Sequence, residues 1–150
     1  MTEPTQETDA LQVSVGSLTS RAARLFAQAL TQAQQALHIA PAQYRILLEL
    51  WREDGLTQKD LIARLDIEQS TIGNTLNRMV KDGLINRQPH PQDGRSQSLS
   101  LTPYALKLKE QALRNARYVE EKALSGFSGE EREQLIALMH KMIGALKDES

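Results

Sequence analysis

Five polar side chains between Ser70 and Lys81 are spaced to hydrogen-bond a patterned surface. At a helical period of 3.6, Ser70, Thr71, Asn74, Arg78 and Lys81 fall on one side, and Ile72, Leu76, Met79 and Val80 fall on the side expected to face a core. Hydroxyl, amide and guanidinium groups on a cylinder about 10–12 Å across suit the major groove of DNA, where base edges display donors and acceptors. Asn74 matches adenine, Arg78 matches guanine or phosphate, and Gln69 and Thr75 complete the candidate contact set on this segment. Farther along, Arg95 follows Asp93-Gly94 at what reads as a hairpin tip. From there a guanidinium can reach an adjacent minor groove or a phosphate, with Asp93 close enough to orient it by a charge-assisted hydrogen bond. Lys81 and Arg87 suit phosphate contact or plain solvation. An isolated helix of this composition is more often a plain solvated face, and Arg95 alone could be an exposed hairpin charge, so the surrounding elements decide between the readings.

Those elements occur in a telling order. A helix opens at Thr57 with Asp60 three residues on, a capping-box pattern, and carries Leu61, Ile62 and Leu65 on one side. After a break at Asp66-Ile67 the polar-faced helix spans about residues 68–82, and Gly83 is placed to stop it in a left-handed cap. Gly73 beside its apolar face suits close helix packing. Residues 84–88 and 97–101 read as short strands, the second by strict alternation, with Pro89, Pro91 and Asp93-Gly94 making a turn-rich wing. Helix, turn, helix and hairpin give a winged helix-turn-helix over residues 39–102.

The flanks are long helices. Leu11, Val15, Leu18, Ala22, Leu25 and Ala29, widened by Phe26, Leu30, Ala33 and Leu37, predict one amphipathic helix ending near His38. A bridging helix over 41–53 should bury Ile46, Leu47, Leu50 and Trp51. Thr102-Pro103 can open a helix running to about Ser125 through Leu106, Leu108, Ala112, Leu113, Ala116, Val119 and Ala123. Ser128-Gly129-Glu130-Glu131 is a capping box for a last helix bearing Leu135, Leu138, Met139, Met142, Ile143 and Leu146. Long helices at both ends of a small winged domain have little core of their own, and pairing with a second copy would cover them. Residues 11–38 and 103–147 are therefore expected to be dimerisation helices, and residues 1–10 a disordered tail. The expected fold class is mainly α with a small β-wing.

Leu61 to Leu65, Ile67-Glu68-Gln69-Ser70-Thr71-Ile72, Asp82-Gly83-Leu84-Ile85, and Asp93-Gly94-Arg95 leading to Leu99-Ser100-Leu101-Thr102 together resemble the MarR/SlyA family of bacterial winged helix-turn-helix transcriptional regulators. The Asp-x-Arg wing ending in Leu-Thr is the specific part, and the resemblance runs from about Leu11 to Leu146. It implies a homodimer whose recognition helices and wings grip a palindromic DNA operator, most commonly as a repressor, and which a small aromatic or lipophilic effector releases. It also places such an effector between the dimerisation helices and the winged domain, where Tyr44, Arg45 and Trp51, with Arg21 or Arg24, could line a site for an aromatic carboxylate. The same residues are equally explained as interdomain packing. The chain differs from the family pattern at Asn74, where relatives often carry Arg, and at Gly94, where a second basic residue often precedes Arg95. Both differences remove positive charge.

Composition agrees with a small regulator. The 150 residues, 40% hydrophobic, suffice for a single core. No run approaches the 18 or more apolar residues of a membrane span, and the acidic, polar start lacks a signal peptide's pattern, so a cytoplasmic protein is expected. The sequence has no cysteine, which removes thiolate metal sites and the thiol-oxidation sensing of part of the resembled family. His38, His90 and His140 lack paired metal-ligand spacing and are expected on the surface; no metal or other cofactor is expected. There is no Gly-rich phosphate loop, nucleophile elbow or metalloprotease motif, and Glu120-Glu121 suits a solvated or salt-bridged helix position, so an enzyme is not expected. Residues 41–102 carry eight Lys and Arg (Arg45, Arg52, Lys59, Arg64, Arg78, Lys81, Arg87, Arg95) against eight Asp and Glu (Glu49, Glu53, Asp54, Asp60, Asp66, Glu68, Asp82, Asp93). That neutrality predicts specific DNA binding with modest nonspecific affinity. It also keeps open a different class, a winged-helix dimer serving as a protein-interaction adaptor.

Overall fold

The computed structural model describes residues 14–148, which are helical at both ends around a small sheet. The elements are α1 (Val15–Ala33), a 3-10 turn (Gln35–Leu37), α2 (Pro41–Arg52), α3 (Gln58–Leu65), α4 (Gln69–Lys81), β1 (Ile85–Pro89), β2 (Gln97–Leu101), α5 (Pro103–Ala123) and α6 (Gly129–Lys147). The expected disordered tail at 1–10 and the apolar position Leu11 lie outside the described residues.

Local chemistry sets these boundaries. Thr57 Oγ1 accepts from the Asp60 amide at 3.1 Å, and Asp60 Oδ2 accepts from the Thr57 amide at 2.9 Å, closing the capping box that starts α3. Ser128 and Glu131 do the same for α6, and Thr102 caps α5 with Pro103 at its first position. At the end of α4 the Gly83 amide donates to the Val80 carbonyl and the Leu84 amide to the Met79 carbonyl, while Gly83 sits at φ +73°. This is a Schellman closure, and its left-handed residue favours glycine. Leu84 and Met79, both buried, supply the apolar contact that accompanies it.

One core holds the helix-turn-helix together. Ile46, Leu47 and Leu50 from α2, Leu61 from α3, Ile72, Leu76 and Met79 from α4, and Ile85 and Leu99 from the sheet are nearly inaccessible to solvent and form a single cluster with Ala105 and Ala112 of α5. Each such aliphatic side chain stabilises the fold by about 1.5–3 kcal/mol. The hairpin is antiparallel, with Ile85 opposite Leu101, Arg87 opposite Leu99 and Pro89 opposite Gln97. The segment before α3 joins its free edge: the Gly55 amide donates to the Leu99 carbonyl at 3.0 Å and the Leu99 amide to the Leu56 carbonyl at 2.8 Å. The wing is thereby fixed to the start of α3.

Three expectations are corrected. The first helix ends at Ala33, not near His38, because Gln34 turns inward: fully buried, it donates from Nε2 to the Ala112 carbonyl at 2.8 Å and accepts from Asn115 at 3.0 Å. The chain then tightens into the 3-10 turn, and His38 at φ +55° redirects it so that Ile39 enters the core. Val80, assigned to the buried face of α4, is 40% exposed, since the core closes over Ile72, Leu76 and Met79 and leaves the edge of the stripe outside. Trp51 is half-buried rather than fully buried, its indole N–H donating to the Ala105 carbonyl at 3.2 Å.

The first and last helices pack sparsely. α1 and α6 contain no buried residue, and Leu18, Leu25, Ile136, Leu138 and Leu146 are each more than half exposed. Among the described residues no helix is long and apolar enough to cross a membrane.

Candidate nucleic-acid interface

The buried face of α4 determines which of its side chains face outward. With Ile72, Leu76 and Met79 anchored in the core, Gln69, Ser70, Thr71, Asn74, Arg78 and Lys81 are exposed and Thr75 is half-buried. The structure thus presents Ser70, Thr71, Asn74, Arg78 and Lys81 on one side of α4, with Gln69 exposed at its first position. Thr75 differs from the rest: its hydroxyl donates to the Thr71 carbonyl at 2.9 Å, so its hydrogen is already engaged. Arg78 Nε lies 3.3 Å from Asp82 Oδ1, one turn along the helix. Gly73 faces α3, where an added Cβ would stand 3.6 Å from the Gln58 amide nitrogen, an ordinary contact.

The wing stands beside this helix, and a side chain absent from the sequence-derived set joins the two. Asn77 Oδ1 accepts from Arg87 Nη2 at 2.6 Å, linking α4 to β1. Asn77 lies three residues after Asn74, so the helical spacing was sufficient to find it. Arg87, Arg95 and Lys59 line one open cleft of about 330 Å³ with Thr57, Gln58, Ser96 and Gln97, at the junction of α3 and the hairpin. Lys59 was missed because it belongs to the other helix of the motif, and only the fold brings it near the wing.

The support expected from Asp93 takes a different form. Its Oδ1 accepts from the backbone amide of Arg95 at 3.1 Å, and no ion pair joins it to the guanidinium. A carboxylate two residues before an amide closes an Asx turn locally, and this shapes the backbone at the tip while leaving the Arg95 side chain exposed. His90, expected simply on the surface, also shapes this turn: its Nδ1 accepts from the amides of Gln92 and Asp93 at 3.1 and 3.2 Å.

A second concavity lies away from this surface. A cavity of about 480 Å³ between α1, α2 and α5 is lined by Arg24, Phe26, Leu30, Tyr44, Arg45 and Glu120, among others. Of the residues considered for an effector, Arg24, Tyr44 and Arg45 meet there. Arg21 and Trp51 are not part of its lining, although the Trp51 ring packs edge-on against Tyr44 at 6.2 Å between centroids. Burial pushes the Tyr44 hydroxyl above the ordinary tyrosine value, opposed by the nearby Arg52 charge. Arg24 donates to Ser20 at 2.8 Å.

Comparison with known proteins places this geometry. Residues 39–97 match the model of the MarR family. The chain is 34% identical over 110 residues to the organic hydroperoxide resistance transcriptional regulator of Bacillus subtilis, covering 73% of this chain and 74% of that one. A probable transcriptional regulator from Pseudomonas aeruginosa superposes with a TM-score of 0.82 at 27% identity, over 88% of this chain and 98% of the other. The same fold, at 21% identity and a TM-score of 0.84 over 91% of each chain, occurs in a Listeria monocytogenes protein solved with a 26mer DNA. With the Bacillus subtilis relative matched at that identity over most of both chains, the chain belongs to the MarR family.

Proposed function

We propose that the chain is a sequence-specific DNA-binding transcriptional regulator that acts in the cytoplasm as a homodimer on a pseudo-palindromic operator and represses by occupying it. The observation that carries this reading is the polarity of α4. Its apolar residues hold it rigidly in the core while Ser70, Thr71, Asn74, Arg78 and Lys81 face solvent beside a cation-lined wing. The bare apolar faces of α1 and α6 support a dimer, which would set two recognition helices about one turn, on the order of 34–36 Å, apart. Residues 39–102 serve as the DNA-binding region and the helices on either side as the dimerisation region.

The cavity bounded by Arg24, Tyr44 and Arg45 suits a small aromatic or lipophilic effector, with a guanidinium for a carboxylate. A thermal-shift screen of aromatic acids should give saturable stabilisation; a flat response would remove this part of the reading. The Bacillus subtilis relative is named for organic hydroperoxide resistance, but this sequence has no cysteine, so a thiol-based response does not carry over.

Fluorescence anisotropy on a duplex selected from a randomised library, with unrelated competitor DNA, tests the central claim. Asn74→Ala should cost about 1–3 kcal/mol on the selected duplex and relax preference at one base pair per half-site. Equal weakening on every duplex would remove Asn74 from base reading. Weak binding by the parent, indifferent to sequence, would favour a protein-interaction adaptor.

A further inference from the structure

The C-terminal end of α4 gathers two helices onto one carboxylate. Asp82 Oδ1 faces Arg78 Nε at 3.3 Å, and Asp82 Oδ2 accepts a 2.9 Å hydrogen bond from Gln43 Nε2 on α2. Gln43 is only 4% exposed, and its Oε1 in turn accepts from the Ala40 amide at 3.1 Å. Both ends of the Gln43 amide are therefore engaged, and it cannot turn over without losing a bond. The Arg78 side chain, 73% exposed, would otherwise exchange among many rotamers.

The atom that Asp82 engages matters. An arginine reading guanine uses a fork of two N–H groups toward O6 and N7. With the Asp82 carboxylate nearest Nε, the two terminal nitrogens of Arg78 remain available for that fork, and the ion pair biases the exposed guanidinium toward that pose before DNA arrives. We infer that Asp82 and Gln43 are positioning residues: they hold Arg78 in a pose suited to a base edge and tie that pose to α2. This rests on the DNA-binding reading above. It also gives Asp82 two opposed effects. Its negative charge at the C-terminal end of α4 weakens attraction to any phosphate backbone nearby, while its pairing with Arg78 sharpens the preference for the correct base.

The test compares the parent with Asp82→Asn, Gln43→Met, Arg78→Ala and Arg78→Ala/Asp82→Asn by anisotropy, using a library-selected duplex and a scrambled one. Thermal unfolding of each variant checks that it is folded. Asp82→Asn should lower the ratio of selected to scrambled affinity about fivefold without lowering affinity for the scrambled duplex. Gln43→Met should lower the ratio in the same direction by less. Asp82→Asn should not alter the ratio once Arg78 is alanine. A ratio unchanged by Asp82→Asn, equal losses on both duplexes, or a loss that persists without Arg78 would overturn the inference while leaving DNA binding intact. A parent protein that does not discriminate between the duplexes would instead overturn the DNA-binding reading, and this inference with it.

Discussion

Replacing Arg95 with alanine should change the salt dependence of DNA binding by a defined amount. Lys59, Lys81, Arg87 and Arg95 flank the proposed DNA surface and have no carboxylate partner among the described residues. If each meets one phosphate in both protomers of the proposed dimer, about eight contacts give log Kobs against log salt a slope near −7. Arg95→Ala removes about two of these and should bring the slope to about −5.4, so the advantage of the parent shrinks about tenfold between roughly 50 and 200 mM salt. The wing should keep its shape, because Asp93 accepts from the Arg95 backbone amide, which alanine retains. Anisotropy titrations at five or so salt concentrations would supply both slopes. Parallel lines would refute the phosphate contact. A loss far greater than two contacts would mean that Arg95 supports the wing itself.

Two further substitutions probe the scaffold. Gly83→Ala meets no atom within 4 Å, so its cost is backbone strain at φ +73°, about 1–2 kcal/mol, less about 0.5 kcal/mol for the reduced freedom of the unfolded chain. Calorimetry should show Tm lowered by about 2–4 °C, and an unchanged Tm would contradict the left-handed cap. Because folding raises the Tyr44 pKa, its contribution to stability should be intact below the ordinary tyrosine value near 10 and be lost as pH rises through the raised one. Phenolate absorbance should show a late step that Tyr44→Phe removes; a late step surviving that change would assign it elsewhere.

Elements whose signals are local were legible in the sequence. The Thr57–Asp60 and Ser128–Glu131 boxes and the Gly83 stop each depend on residues within a few positions and form as expected, and β2 forms where its pattern put it, although Ser98 on its polar side is buried under the segment before α3. What was not legible depends on distant partners. The early end of α1 follows from a hydrogen bond between Gln34 and Ala112, 78 positions apart, and no periodicity encodes it. Val80 fits the apolar stripe, but how far a core spreads around a helix depends on what packs against it. Asp93 and Arg95 were correctly paired in sequence yet joined through the wrong atoms, because at that separation a backbone amide is within easier reach than a guanidinium. Lys59 and Asp82 gained their significance only when the fold set them beside the wing and α2.

The neutral charge count over 41–102 looks different once each side chain has its partners. Glu49 and Glu53 pair with Arg64, Asp66 with Lys147, and Asp82 with Arg78 and Gln43. Asp54 accepts from the Gly55 and Leu101 amides, and Asp60 closes the α3 cap, a backbone bond that holds its carboxyl below the ordinary range. Asp93 shapes the wing tip. Of the acidic residues in this region only Glu68 has no such engagement. The basic residues divide differently: Arg52, Arg64 and Arg78 have carboxylate partners, while Arg45, Lys59, Lys81, Arg87 and Arg95 have none among the described residues. At distances beyond the Debye length the charges still cancel, so long-range attraction to arbitrary DNA stays weak. At contact, acidic groups pinned into caps and turns cannot swing toward a phosphate, whereas the unpaired cations can. A surface neutral at a distance and cationic at contact favours binding that depends on fit, which is what a regulator choosing one operator among many competing sites requires.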